Sequence, residues 1–261
     1  MTGAIIGDII GSVYEAHPVK TTDFDLFTAS SRFTDDTVLT IAVAEALLKR
    51  DDYESRLRYW GRKYPDAGYG LGFFNWLMTD DPQPYNSWGN GSAMRVSPVG
   101  FASTKEADVL TEAEKSASCT HNHPEGIKGA QAIALAVFLA RNNRTKEGIK
   151  HCIEKTFHYN LDRKLDDIRP AYQFDVSCQG SVPEAILAFL ESSDYIESVK
   201  NAVSLGGDSD TLACMAGAIA EAFYKEIPRT TYNAALDLLP EEFIETIQLF
   251  YETFHCQYKL V

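Results

Sequence analysis

No two cysteines of this chain stand at metal-ligand or redox spacing. Its five, Cys119, Cys152, Cys178, Cys214 and Cys256, are odd in number and far apart, which excludes a disulfide framework and a thiolate zinc site. A reducing cytoplasm is the expected setting. Basic residues are also scarce: 24 against 37 acidic ones leave a formal charge of -13. Such a surface repels nucleic-acid backbones and anionic membranes, and any phosphorylated ligand would need cations or backbone amides to hold it. No apolar run reaches the roughly 18 residues of a membrane span. The apolar segment from Gly3 to Val13 is short, carries Asp8 and lacks a basic leader or a small-residue cleavage site, so it does not read as a signal peptide. Strand-like alternation is absent almost everywhere.

What remains is helical patterning. The chain has 261 residues, 45% of them hydrophobic, enough to bury a core without staples, and one domain over residues 1–261, monomeric, is expected. Leu39, Ala42, Val43, Ala46 and Leu47 repeat at i, i+3, i+4, i+7 and i+8, as do Ala130, Ile133, Ala134, Val137 and Phe138. Ser181-Val182-Pro183-Glu184 has the form of a capping box and predicts a helix over 182–191. Phe243, Ile247, Phe250, Tyr251 and Phe254 form an aromatic face that reads as core. The stretch from Gly61 to Pro98 is rich in glycine, proline and aromatics and reads as a long binding loop. The charged stretch from Asp162 to Arg169 reads as a solvated connection.

Gly3, Gly7 and Gly11 recur every four residues, and Ala213, Ala216, Gly217 and Ala220 line one side of a second segment. Small residues on one helical face let another backbone approach closely, so these segments predict two central helices in tight contact. Each lies beside oxygen-rich chemistry. Thr34-Asp35-Asp36-Thr37 and Asp208-Ser209-Asp210-Thr211 both open onto helical apolar patterns. Viewed separately, each block is an ordinary helix start, where one side-chain oxygen caps an amide and negative charge suits the dipole. Two carboxylates per block exceed that need. If the blocks meet, the crowded like charges make energetic sense chiefly with a cation, and carboxylate and hydroxyl oxygens favour magnesium, manganese or calcium over zinc. Gly206 and Gly207 permit a tight turn before the second block, and Glu15 could add another carboxylate.

Two further segments carry possible ligand chemistry. Gly89, Asn90, Gly91 and Ser92, within Trp88-Gly89-Asn90-Gly91-Ser92-Ala93-Met94-Arg95, offer unobstructed backbone amides suited to phosphate, although the tract matches no P-loop and alone reads as a turn before a helix. His121 and His123 in Thr120-His121-Asn122-His123-Pro124 lack helical spacing, so a hydrogen-bonding or ligand-edge role stands beside a metal pair.

Five blocks in order resemble the ADP-ribosylglycohydrolase family: Gly7-Asp8-Ile9-Ile10-Gly11 with Tyr14-Glu15-Ala16-His17, Phe33 to Thr37, Gly89 to Arg95, Thr120 to Pro124, and Gly206 to Thr211. The resemblance covers nearly the whole chain. It implies an all-α fold with a binuclear centre of two magnesium (or manganese) ions, with Thr34, Asp35, Asp36, Asp208, Asp210 and Thr211 as metal ligands. It further implies that Glu15 lies at the metal centre, that Gly89 to Ser92 approach a pyrophosphate, and that His121 lies along an ADP-ribose cleft. The substrate would be an ADP-ribosylated protein or small molecule, with an arginine acceptor favoured by likeness to the bacterial branch. Asp35 and Glu15 are the candidates for proton relay at a carbon with oxocarbenium character. The rival readings are an ADP-ribose binder without catalysis and a metal-dependent phosphoester hydrolase acting on a nucleotide.

Overall fold

The computed structural model describes residues 1–261, and helices account for nearly all of its regular structure. The first helix, α1 (Thr2–Gly11), is buried along its entire length. After an irregular segment come α2 (Asp35–Lys49), α3 (Tyr53–Lys63), α4 (Leu71–Met78), α5 (Gly91–Met94), α6 (Ser97–Ala102), α7 (Glu106–Ser118) and α8 (Pro124–Arg141). The second half holds α9 (Lys146–Phe157), α10 (Leu165–Ile168), α11 (Cys178–Leu190), α12 (Tyr195–Val203), α13 (Ser209–Tyr224), α14 (Arg229–Leu236) and α15 (Glu241–Thr253). The only sheet is two residues deep: β1 (Glu226–Ile227) pairs in parallel with β2 (Lys259–Leu260), Glu226 opposite Lys259. The all-α expectation holds.

The centre is the seam between α1 and α13. A Cβ added to Gly7 would lie 2.2 Å from the Ala213 carbonyl oxygen, and one on Gly217 would lie 2.3 Å from that of Gly3. The helices therefore touch backbone to backbone, as their small-residue stripes predict. Around this pair, α2, α8, α11 and α12 complete one continuous apolar core. Helices α2 and α8 carry the two predicted apolar repeats, and both are buried beyond a single stripe. The aromatic face of α15 is core as read: Phe243 meets Phe33, Trp60 and Tyr64 at ring-centroid distances of 5.3, 5.4 and 4.9 Å. Phe33 immediately precedes the first acidic block, so this cluster anchors the approach to it.

Three local expectations need correction. Helix α11 begins at Cys178 rather than 182, because the hydroxyl of Ser177 accepts the Gly180 amide at 3.0 Å and caps it. Ser181 instead donates to the Ser177 carbonyl at 2.6 Å, leaving Pro183 inside the helix. The stretch from Gly61 to Pro98 is not one long loop, since it holds the end of α3, all of α4, α5 and the start of α6. Burial of Phe73, Trp76 and Leu77 against the core overrides its glycine and proline content. The stretch Asp162 to Arg169 contains the one-turn helix α10, pinned by fully buried Leu165, while Asp166 and Asp167 stay in solvent.

Candidate active site

The seam delivers both acidic blocks to one cleft of about 350 Å³, lined by Thr34, Asp35, Asp36, Asp208, Asp210, Thr211, Glu15, Gly89, Asn90, Gly91 and His121, with Arg32, Tyr85, Arg95 and Phe174 among the further walls. Thr211 Oγ1 donates to Asp36 Oδ1 at 3.3 Å, joining blocks 175 residues apart in sequence.

The first block is held from beneath by Asp8. Thr34 caps α2 by accepting the Asp36 amide, and its own hydroxyl donates to Asp8 Oδ1 at 2.6 Å. The amides of Thr34 and Thr37 donate to Asp8 Oδ2 at 2.9 and 3.1 Å, and the Thr37 hydroxyl donates to the same oxygen. One buried carboxylate thus takes four donors. From the other side, the Ala67 carbonyl accepts the Asp35 amide at 2.8 Å. These contacts leave the Asp35 carboxylate facing the cleft, while Asp36 Oδ2 is buried with no partner.

The second block is built differently. Gly206 adopts φ +63°, and a Cβ on Gly207 would fall 2.4 Å from the ring of Tyr172, so both glycines are required by the turn. Asp208 occupies the N-cap of α13 without capping it. Its Oδ2 instead accepts Nδ2 of Asn90 at 2.7 Å. Asp210 Oδ1 accepts the Thr211 amide at 2.9 Å. Glu15, exposed at the mouth, joins Asp208 and Asp210 in a group whose candidate ligand oxygens all lie within 4.8 Å of one another.

Burial together with this crowding pushes the carboxyl groups toward their protonated forms. Desolvation, followed by the charges of Asp8 and Asp208, raises Asp35 to about 8. Asp36 and Asp210 are pushed well above the usual range, by desolvation first and then by Asp210 and Asp208 respectively. Asp208 and Glu15 are raised by desolvation too, Asp208 despite the bond from Asn90 and Glu15 with help from the Asp208 charge. Asp8 is raised by burial even though the bonds from Thr34 and Thr37 oppose the shift. The oxygens resist ionising in their own company, so Arg32 and Arg95 nearby supply too little positive charge to offset the crowding.

The loop around Gly89 forms the opposite wall. It is strapped to the segment before α11 by the Asn90 amide on the Val176 carbonyl at 2.7 Å and the Cys178 amide on the Trp88 carbonyl at 3.0 Å. Gly89, Asn90 and Gly91 line the cleft. The side chain of Ser92 does not: it is fully buried and its hydroxyl donates to the Gly126 carbonyl at 2.7 Å. Of the two histidines, His121 sits in the cleft wall, whereas His123 caps α8 by accepting the Glu125 amide at 3.1 Å. That separation removes the histidine-pair metal reading. Three features escaped sequence reasoning: the hub role of Asp8, the Asn90 clip onto Asp208, and the buried Arg95. Only Asp8 left a signal, a carboxylate within an otherwise apolar helix.

The oxygen-rich cleft thus opens where the starts of α2 and α13 meet the Gly89 loop, within an all-α fold. Residues 1–257 match the model of the ADP-ribosylglycohydrolase family, so this chain belongs to that family and is a glycohydrolase enzyme. It is similar to ADP-ribosylhydrolase ARH3 of Mus musculus, 30% identical over 97% of this chain and 87% of that protein, and to its Homo sapiens counterpart, 29% identical over 97% and 89%. ADP-ribosylarginine hydrolase Tri1 of Pseudomonas putida (strain GB-1) is 23% identical over 86% of this chain and 69% of its own. A solved ADP-ribosylglycohydrolase-related protein complex superposes with a TM-score of 0.67, covering 97% of this chain and 92% of that one at 24% identity, a likeness of fold.

Proposed function

We propose that this protein hydrolyses the glycosidic bond between ADP-ribose and an acceptor, with the help of two divalent cations, magnesium or manganese. The observation that carries this reading is the meeting of the two acidic blocks across one cleft, with Asp36 Oδ2 buried and unpartnered between them. The donor set is entirely oxygen, which suits a hard cation. Thr34, Asp35, Asp36, Asp208, Asp210 and Thr211 would hold the ions, and the missing positive charge of the pocket is what they would supply. When bound, such ions polarise substrate hydroxyls and activate water.

The chain's own groups divide the remaining work. Asp35 faces the cleft, and burial with the Asp8 and Asp208 charges raises its carboxyl group to about 8 in the metal-free fold; bound cations would lower that value, leaving an ionised group that can act as ligand and as proton acceptor at once. Glu15 is open to solvent as a residue while its carboxyl group, turned toward the cluster, is raised by partial desolvation and by Asp208, which suits it to exchange a proton with the leaving group. The backbone of Gly89, Asn90, Gly91 and Ser92 would follow the pyrophosphate, with His121 beside it. Asp8, buried and bonded to Thr34 and Thr37, holds the start of α2 in place so that Asp35 and Asp36 face the cleft.

Incubation of an ADP-ribosylated protein with magnesium should release free ADP-ribose, and chelator should stop it. AMP or inorganic phosphate as the product would favour phosphoester hydrolysis, and binding without release would favour a reader. An arginine acceptor has one relative's name in its favour, that of Tri1. A panel of arginine-, serine- and nucleic-acid-linked ADP-ribose, assayed with one metal at one pH, identifies the linkage.

A further inference from the structure

Arg95 is among the most deeply buried side chains of the molecule, with no measurable exposure, and it has no carboxylate partner. In a chain with 37 acidic residues that is unexpected, because a buried cation without a counter-charge costs several kcal/mol. The titratable groups around it are Cys119, Tyr85, Cys178 and His121, none of them a carboxylate. Its Nη2 donates to the Ser116 carbonyl at 2.8 Å and to Thr120 Oγ1 at 2.9 Å, while Nε and Nη1 have no protein partner. Arg95 lies directly behind the wall of the cleft.

Thr120 is the link to function. Its fully buried hydroxyl has two polar neighbours, Arg95 Nη2 and His121 Nδ1, the latter at 2.7 Å. A guanidinium only donates, so Thr120 must accept from Arg95, and the single acceptor left for its own proton is Nδ1. Nδ1 is therefore bare and the ring proton sits on Nε2. A doubly protonated ring, or one with its proton on Nδ1, would leave the Thr120 proton buried without an acceptor. Burial and the Arg95 charge push His121 the same way, holding it well below its usual pKa. Nε2 makes no hydrogen bond within the protein and faces the glycine loop: a Cβ on Gly91 would lie 3.3 Å from it and one on Gly89 3.6 Å.

We propose that Arg95 and Thr120 are positioning residues that fix His121 as a neutral Nε2–H donor toward an anionic oxygen seated on Gly89 to Gly91. The identity of that oxygen, a diphosphate oxygen, rests on the ADP-ribose reading above. The histidine contributes direction and the guanidinium behind it contributes charge. The counter-charge that the protein withholds from Arg95 comes from the ligand.

The test reads the ring and the ligand separately. In 15N-histidine-labelled protein, long-range proton–nitrogen spectra of the free wild type at neutral pH should show His121 neutral with its proton on Nε2. Thr120→Ser should keep that state. Thr120→Val should lose it and weaken ADP-ribose binding roughly tenfold, the scale of one hydrogen bond to a charged oxygen, with adenosine binding unchanged. Arg95→Lys, which keeps the charge, should weaken ADP-ribose less than Arg95→Met. A wild-type proton on Nδ1, a charged ring, or a Thr120→Val protein with the wild-type tautomer and affinity would overturn the proposal. If the wild type shows the Nε2–H ring yet ADP-ribose does not bind, the ligand reading fails and the tautomer lock stands. Should Thr120→Val not fold, the free wild-type spectrum still decides.

Discussion

The two acidic blocks look alike as sequence and are built on different principles. The first is a helix cap as well as a cleft wall: Thr34 satisfies its local amide and is gripped from beneath by Asp8, so local and distant bonds reinforce each other. The second gives up the local role. Asp208 leaves its helix end uncapped and turns to Asn90, 118 residues away. An N-cap contributes about 1 kcal/mol, so a carboxylate that forgoes it is committed elsewhere. Thr34 in the first block serves the helix and the cleft together, Asp36 keeps an unpartnered buried oxygen, and Asp208 in the second block serves the cleft alone.

The seam between α1 and α13 is what makes the comparison possible, and breaking it has the largest expected effect. Gly7→Val would drive a branched side chain into the Ala213 carbonyl and should cost about 3 kcal/mol or more, read as a lower midpoint in urea unfolding, with activity lost alongside. Wild-type stability in this variant would mean that the helices are not in backbone contact.

Next come the blocks themselves. Asp35→Asn and Asp208→Asn should each reduce ADP-ribose release by about 10²–10⁴-fold. Both should melt at or above the wild-type temperature in chelator, because each removes a carboxyl group that the metal-free fold must hold protonated against its ordinary tendency to ionise. A stability loss confined to Asp35→Asn would show that the first block is architectural; unchanged turnover in both would remove them from the chemistry.

The effect of pH sharpens the same point. Asp35, ordinarily at 3.8, lies at about 8 in the fold, and Asp36, Asp208 and Asp210 are also raised. Between those values the folded state holds protons that the unfolded chain has released, so metal-free stability should fall as pH climbs from 3.8 to about 8. Magnesium should flatten this slope by binding the ionised cluster. Urea midpoints across that range, with and without magnesium, check it; a rising metal-free profile would contradict the crowding.

The smallest expected effect belongs to the clip. Asn90→Ala should cost about 1 kcal/mol of stability and roughly tenfold in turnover, since Asp208 loses its only side-chain donor from the loop. A loss of turnover with unchanged KM for ADP-ribosylated substrate would place Asn90 as a support of Asp208 rather than a ligand contact.

Much of this architecture was readable beforehand because the physics was local or repetitive. The stripes of Gly3, Gly7 and Gly11 and of Ala213, Ala216 and Gly217 announce close packing, and an excess of carboxylates over capping need is visible in each block. What escaped depends on partners far apart in the chain. Nothing near Asn90 indicates that its amide reaches Asp208, and Asp8 reads as a polar interruption until the amides and hydroxyls of Thr34 and Thr37 close around it. The capping box at Ser181 misplaces the start of α11, because the strap that holds the Cys178 amide on the Trp88 carbonyl brings Ser177 to the helix end instead. Helix α4 was hidden because glycines and prolines flank it, while its helicity comes from what Phe73 and Trp76 bury.

The intimate pairing of α1 with α13 also sets the order of events at the ribosome. Helix α1, buried along its whole length in the fold, leaves the ribosome well before its partner, which follows only after roughly 200 further residues, on the order of ten seconds or more of elongation. Throughout that interval the face of α1 that meets α13 stays uncovered, even after α2 has closed on Asp8, so nascent chains should recruit holdase chaperones, and fragments halted before residue 209 should aggregate rather than persist as smaller folded units.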